Sequence, residues 1–247
     1  MAVQDDERER ELVRMFNLNW DPAHQRGGVD ADLQIKFGGK NYRIEVEVKS
    51  TTGQTVSTAR DVGMEHIRKW RSKLFVIGFY SKTPGRPELQ RCICLTPVDM
   101  EPWIASIEAK ILIDFKLAQT ASRSLDLKDL FEVCGESPTY TLHDARRLHK
   151  NQWTTEQYEQ ALDVPGTHKT ARISQKQMLE ILKLRAKYIA ERGATLNNPH
   201  ITKAHLERFR NTDREFSGSN WAQKIRTLAK NFIASEPNHL AVNPVQS

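Results

Sequence analysis

Two stretches of alternating apolar and polar residues, joined by a pair of glycines, constrain the fold more than any other feature of this chain. Over residues 32–37 and again over residues 42–48, every second residue is apolar. Successive side chains of a strand point to opposite faces of a sheet, so this alternation predicts two strands with one buried face each. Gly38 and Gly39 lie between them, and glycine readily adopts the positive φ of tight turns. The sequence therefore predicts a β-hairpin.

Helical and strand patterns surround this hairpin. On both sides of the hairpin, apolar residues occur either at helical spacing or in continuous runs that are typical of buried strands. This arrangement of apolar residues predicts helices over residues 5–16, 57–72 and 99–121, and strands over residues 74–80 and 89–95. The order α-β-β-α-β-β-α predicts an α/β fold, with a mixed β-sheet flanked by helices.

The remainder of the chain is predicted to be helical. Apolar spacing indicates helices over residues 142–150, 155–163, 174–192, 201–210 and 220–234. We therefore expect three parts: an α/β core at residues 1–125, a helical region at residues 126–236, and a flexible tail at residues 237–247.

Positive charge is concentrated near the C-terminus. Residues 166–247 contain 14 Lys and Arg against 6 Asp and Glu, a net charge of +8, whereas residues 1–165 carry −2 and the whole chain +6. A basic segment beside a nearly neutral one favours a polyanionic partner such as nucleic acid. A merely solvated surface is the alternative explanation.

Several classes of protein are disfavoured by composition. The longest uncharged apolar stretch, residues 74–80, is far shorter than the roughly 20 residues that span a bilayer, so no membrane partner is expected. The N-terminus is acidic and lacks the apolar segment of a secretory signal. Cys92, Cys94 and Cys134 lack zinc-site spacing, and reduced thiols in a cytoplasmic protein are expected.

The stretch from residue 27 to residue 51 carries the candidate chemistry. Glu47 and Lys49 are two residues apart on a predicted strand and therefore point to the same face. The hairpin places Asp30 or Asp32 beside that end of the strand. Two carboxylates and an ammonium group would then converge.

Two neighbouring carboxylates repel each other, and a divalent cation resolves the conflict. Mg²⁺ prefers oxygen ligands, activates bound water and stabilises charge on a phosphoryl oxygen. Lys49 could orient or deprotonate the attacking water, or offset negative charge on the phosphate. This combination is typical of phosphodiester hydrolysis. The alternative is an amphipathic strand whose residues Glu45, Glu47 and Lys49 simply face water.

The pattern V-D…E-V-K, formed by Asp30, Glu47 and Lys49, resembles the PD-(D/E)XK nuclease superfamily. The order of elements over about residues 5–100 is similar to that of the family, although Val29 stands where the motif has proline. The resemblance implies a restriction-endonuclease-like core. It also implies that Asp30, Glu47 and the Val48 carbonyl bind Mg²⁺, and that Lys49 is the catalytic lysine.

Three further acidic residues are candidates for the same site. Asp32 and Glu45 share the predicted face with Asp30 and Glu47, and the family's aspartate at the loop–strand junction favours Asp30 over Asp32. Family members often add an acidic residue from the N-terminal helix, and Glu11 or Glu7 could fill that role.

The length and the helical extension look like a type II restriction endonuclease, which implies a homodimer that cuts double-stranded DNA at a specific sequence. A repair or junction-resolving nuclease and a non-catalytic DNA-binding protein of the same fold are the alternatives. Polar and basic residues expected to contact DNA are Ser50, Thr51, Gln54, Arg60, Lys69, Lys169, Arg172 and Lys176.

Overall fold

A five-stranded β-sheet organises the larger part of the chain in a computed structural model of the protein. The structure describes residues 2–20, 30–82, 87–167 and 170–245, with only the main chain of residues 2–6. Its elements in chain order are α1 (Ala2–Met15), β1 (Ala31–Phe37), β2 (Lys40–Thr51), β3 (Val56–Ser57), α2 (Met64–Trp70), β4 (Lys73–Tyr80), β5 (Leu89–Leu95), α3 (Pro97–Arg123), α4 (Leu127–Cys134), β6 (Thr139–Tyr140), α5 (Leu142–His149), α6 (Thr155–Gln160), β7 (Ile173–Ser174), α7 (Gln175–Gly193), β8 (His200–Ile201), α8 (Lys203–Glu207), β9 (Glu215–Phe216) and α9 (Trp221–Ser235).

The sheet is mixed, with the strand order β1-β2-β4-β5-β9. β1 and β2 form the predicted antiparallel hairpin, in which Gly38 and Gly39 adopt positive φ angles of 55° and 77°. β4 runs parallel to β2, and β5 runs antiparallel to β4. A parallel pair requires a crossover, which the segment containing α2 provides. Together with the helices toward the C-terminus, this arrangement confirms the predicted α/β fold class.

Burial explains why β4 reads as a continuous apolar run, since all of its residues are buried. In β2 only one face is apolar: Ile44, Val46 and Val48 lie in a core shared with residues of α1 and α9. Against β4, α1 packs so closely that a Cβ on Gly78 would lie 2.8 Å from Leu12 Cδ1. The opposite face of β2 carries the charged residues of the candidate site.

The chain divides into two compact units, and the first contains both ends of the chain. It comprises residues 1–110 and 196–247, whereas the second comprises residues 111–195. This division differs from the predicted one at residue 125, because Ile225 and Phe232 of α9 lie in the same core as β2. The predicted flexible tail also packs on this unit: Ala241 and Val242 are buried, and the Val245 N–H donates to the Asn41 carbonyl.

The second unit is largely helical and has its own core. Leu130 of α4, Tyr158 of α6 and Ile181 of α7 are buried together, and the short strands β6 and β7 pair antiparallel. The predicted helices at residues 142–150, 155–163 and 174–192 correspond to α5, α6 and α7. α4 was not predicted, and α6 is shorter than expected.

Two predicted helices of the first unit are wrong in extent. The expected helix over residues 57–72 forms only at α2, because the chain before it is extended and β3 pairs with β8. Asp61 interrupts this segment with a positive φ of 52°. The expected helix over residues 201–210 shortens to α8 for the same reason, since its first residue belongs to β8. Within the described residues, no helix combines the length and apolar character needed to cross a bilayer.

Candidate functional site

Asp30 is fixed across the hairpin by two contacts with the second strand. It immediately precedes β1, and its Oδ2 accepts a hydrogen bond from the Val48 N–H at 3.0 Å. The same oxygen accepts from Lys49 Nζ at 3.1 Å. The antiparallel pairing of β1 with β2 brings this aspartate to the end of β2 where Glu47 and Lys49 lie.

The Lys49 ammonium group lies among three oxygen atoms. Its Nζ is 3.1 Å from Asp30 Oδ2, 2.9 Å from Glu47 Oε1 and 3.0 Å from the Val48 carbonyl oxygen. These belong to the three groups that the family resemblance implies as metal ligands. The sequence-predicted residues therefore come together, with their oxygens directed at one positively charged point.

A second lysine, which the sequence analysis missed, holds the other oxygen of Glu47. Lys73 Nζ donates to Glu47 Oε2 at 2.7 Å, and Lys73 is only 4% exposed. Lys73 begins β4, one strand away from Glu47 in the parallel pair. The available signal was a lysine directly before the apolar run of residues 74–80, a position where a charged side chain needs a buried partner.

Both central charges are stabilised by this arrangement. Burial would raise the pKa of the Glu47 carboxyl, but Lys49 and Lys73 outweigh it and lower that pKa to about 2. Burial would likewise lower the pKa of Lys49, but Glu47 and Asp30 outweigh it and hold that pKa well above its usual range. Glu47 is therefore a carboxylate and Lys49 an ammonium group at neutral pH.

The cluster is shielded rather than freely solvated. The side chains of Glu47, Lys49 and Asp30 are 11%, 16% and 25% exposed. The alternative interpretation, in which Glu47 and Lys49 belong to a strand face open to water, is therefore wrong. Asp30 is the most exposed of the three.

Asp32 and Glu45 lie further along the hairpin and do not join the cluster. Asp32 Oδ1 accepts from Asn19 Nδ2 and Asp32 Oδ2 from Arg43, each at 3.0 Å. Glu45 lies opposite Asp32 in the strand register. Asp32 and Glu45 share a face with the cluster, as predicted, but the partners of Asp32 are Asn19 and Arg43 instead of the residues of the cluster.

The N-terminal helix contributes an acidic residue other than the predicted one. Glu11 Oε2 accepts a hydrogen bond from the Tyr80 hydroxyl at 3.2 Å, which places it against β4. The α1 carboxylate that helps raise the pKa of Lys49 is Glu9. Glu7 is exposed. Among the acidic residues of this helix whose side chains are described, Glu9 is thus the one whose charge raises the pKa of Lys49.

Two predicted DNA-contacting residues follow the cluster directly. Ser50 has a buried hydroxyl without a hydrogen-bond partner among the described residues. Thr51 donates from its hydroxyl to the Thr55 carbonyl at 2.8 Å and accepts from the Gly53 N–H, which shapes the turn after β2. Only these two candidates are next to Lys49 in the chain.

The remaining DNA-contact candidates are distributed elsewhere. Gln54 and Arg60 are exposed, and Lys69 pairs with Glu65 one helical turn away in α2. Arg172 and Lys176 belong to the second unit. Lys169, like the loop residues Gly27, Gly28 and Val29, lies outside the described residues.

The donor atoms of the cluster fit Mg²⁺ in kind. Two carboxylates and a main-chain carbonyl are hard oxygen ligands, and Mg²⁺ usually combines one or two carboxylates with water. In the described part of the chain, no group of three or more His, Cys, Asp or Glu side chains is arranged to hold a metal ion. The groups that could hold a metal ion here are Asp30, Glu47 and the Val48 carbonyl.

Comparison with known proteins does not assign the chain to a family, because no protein-family model and no curated protein matches it.

Proposed function

We propose that this protein is an Mg²⁺-dependent endodeoxyribonuclease, most closely of the sequence-specific type II restriction class. The observation that supports the proposal is the convergence of Asp30 Oδ2, Glu47 Oε1 and the Val48 carbonyl on the Lys49 ammonium group. These three oxygens are of the kind that Mg²⁺ prefers, and in this proposal Mg²⁺ takes the position among them that the Lys49 ammonium group holds in its absence.

Each residue of the cluster has a distinct role in this proposal. Asp30 and Glu47 supply negative charge, and the Val48 carbonyl adds a fixed dipole, so together they would hold Mg²⁺. When bound, Mg²⁺ makes water more acidic and withdraws charge from a phosphoryl oxygen. Lys49 lies beside these ligands, where it would offset negative charge on the phosphate or orient the attacking water.

DNA is the proposed substrate for two reasons that are independent of each other. The cluster resembles a nuclease family whose substrates are phosphodiesters, and residues 166–247 carry a net charge of +8. Basic residues attract the phosphate backbone of DNA, and this attraction weakens as the salt concentration rises. A homodimer in the cytoplasm is part of the same proposal, because cutting both strands of a twofold-symmetric site requires two active sites.

A non-catalytic DNA-binding protein is the second candidate, and one observation favours it. Asp30, Lys49, Glu47 and Lys73 already form a continuous chain of ion pairs. Such a chain satisfies its charges within the protein, as a purely structural network does. The two candidates differ in whether the cluster supports cleavage.

Digestion of plasmid DNA tests the proposal. We expect the wild-type protein to cut with Mg²⁺ and to be inactive with EDTA, and Glu47→Gln and Lys49→Met to lose at least about 100-fold in rate. Glu45→Gln is the matched control, because it removes the same charge from the same strand outside the cluster. A fixed fragment pattern indicates restriction, whereas cutting of branched DNA only indicates junction resolution. If a folded wild-type protein binds but never cuts any of these DNAs, the second candidate is correct.

A further inference from the structure

A groove in the first unit lies apart from the carboxylate cluster and is assigned no role by the proposed function. It has a volume of about 450 Å³ and lies between the first half of α3 and the segment of residues 196–208. This volume is within the range of pockets that bind small molecules. All of its lining residues belong to the first unit.

The rim of the groove is positively charged and contains no carboxylate. Lys110 and Arg208 line it, as does His200, and no Asp or Glu is among its lining residues. Neither Lys110 nor Arg208 forms an ion pair with any of the residues that the structure describes, and both are exposed. The rim therefore offers two unneutralised cations to an anion.

Carboxylates on the neighbouring turns of α3 do not neutralise this rim. Glu101 and Glu108 are both bound by Arg71, whose Nη2 lies 2.8 Å and 2.7 Å from their oxygens. The two carboxylates share one guanidinium group, so together they retain one net negative charge, which offsets only part of the two positive charges of Lys110 and Arg208.

The floor of the groove is apolar, apart from one nitrogen atom without a partner. Trp103 and Ile107 form part of the floor. The Trp103 indole is held by a tilted ring contact with Trp70, with 5.1 Å between the ring centroids, and it donates a hydrogen bond to the His200 carbonyl. Beside them, His205 is 6% exposed, and its Nε2 is buried with no hydrogen-bond partner among the described residues. Orphaned buried polar atoms are rare in native proteins and commonly indicate a missing partner.

We propose that this groove binds a mononucleotide, with the phosphate between Lys110 and Arg208 and the base over the floor at Trp103. A nucleotide combines the two properties that the groove complements, an anion and a flat ring with hydrogen-bonding edges. Asn197 and Thr202 at the margin are polar side chains that suit such edges. The inference does not rest on nuclease activity, because it concerns different residues and requires no cleavage.

Isothermal titration calorimetry with dAMP tests this site on the full-length protein. We expect saturable one-to-one binding by the wild type, and at least a tenfold loss of affinity in Lys110→Ala/Arg208→Ala. The matched control is Lys203→Ala/Arg210→Ala, which removes one lysine and one arginine from the same stretch of chain outside the groove. Both replaced cations of the test variant are exposed, so the fold is expected to survive, and circular dichroism verifies it.

Two further titrants separate the possible outcomes. Inorganic phosphate is expected to bind more weakly than dAMP, because it lacks the base. An oligonucleotide of ten thymidines is the second titrant. If it binds while dAMP does not, and if its binding is lost in Lys110→Ala/Arg208→Ala, the nucleotide that occupies the groove belongs to a single strand. The proposal is overturned if neither ligand binds, or if the test and control variants lose affinity equally.

Discussion

Lys73 and Glu47 form a buried ion pair across two parallel strands, with 2.7 Å between Lys73 Nζ and Glu47 Oε2. The other oxygen of the same carboxylate is 2.9 Å from Lys49 Nζ. Each carboxylate oxygen of Glu47 is therefore paired with a lysine ammonium group, which fixes the orientation of the carboxylate. The pair also ties the beginning of β4 to β2.

Replacing Lys73 should weaken the fold. Lys73→Met leaves Glu47 largely buried with one cation instead of two, and we expect a loss of about 3 kcal/mol in the free energy of unfolding. Urea denaturation measures this loss. Lys40→Met, at an exposed position of β2, is the control and should change stability by less than about 0.5 kcal/mol.

A double-mutant cycle with Glu47→Gln separates the pair from its surroundings. We expect a coupling energy of at least about 1 kcal/mol between positions 47 and 73. Strict additivity of the two substitutions would show that the contact contributes nothing to stability.

Mg²⁺ should stabilise the protein even without DNA. A ligand that binds only the native state raises stability by about 2.7 kcal/mol at a concentration 100 times its dissociation constant. For a chain of this size, we expect the melting temperature to rise by about 5 °C in differential scanning fluorimetry. The shift should disappear in Glu47→Gln and persist in Glu45→Gln. A shift of equal size in all three proteins would place the ion elsewhere.

His205 should make stability depend on pH. Burial, reinforced by the charge of Arg208, lowers the pKa of this histidine from 6.5 to about 4. Between these two pH values the unfolded chain binds a proton that the folded protein does not, so stability should fall as pH decreases through this window. The whole contribution is at most about 3 kcal/mol and is fully present above pH 6.5.

The variant His205→Gln isolates this effect, because it removes the titrating group. We expect the unfolding free energy of the wild type to decrease more steeply between pH 6.5 and pH 4 than that of the variant. Chemical denaturation at several pH values measures both slopes. Parallel slopes would show that the imidazole is protonated as easily in the folded protein as in the unfolded chain.

Gly78 is required by the close approach of α1 to β4. A Cβ at this position would lie 2.8 Å from Leu12 Cδ1 and 2.9 Å from Leu12 Cδ2, and Leu12 is fully buried. We expect Gly78→Ala to destabilise the protein by about 2 kcal/mol in urea denaturation. Gly53→Ala, whose Cβ would make only ordinary contacts, is the control.

Shortening the opposing side chain should partly relieve this clash. The double variant Gly78→Ala/Leu12→Ala is expected to be less unstable than the sum of its single variants, because each change compensates the other. If the two losses simply add, the helix and the strand are not in contact at this point.

Local patterns predicted the centre of the sheet well and its distant pairings poorly. The alternation in β1 and β2 and the apolar run of β4 reflect burial of one face or both, so they are visible in the sequence. The predicted helix over residues 57–72 failed because Val62, which suited a helix face, hydrogen-bonds instead to Leu196. That partner is too far along the chain for any local pattern to indicate it.

The same distinction holds for the candidate site. Asp30, Glu47 and Lys49 belong to one hairpin, whose register follows from the alternation and the glycine turn, so their convergence could be predicted. Lys73 reaches Glu47 only through the parallel register of β2 and β4, which no local pattern determines. Glu9 acts on Lys49 from a separate helix, whose rotation against the sheet depends on tertiary packing.

The return of the chain to its first unit has a consequence for biosynthesis. While the polypeptide emerges from the ribosome, β2 and β4 are complete long before the residues of α9 that cover the same core have been made. The nascent sheet must keep apolar surface uncovered during that interval. Chains released early, for example at a premature stop codon after residue 195, would therefore be prone to aggregation and degradation.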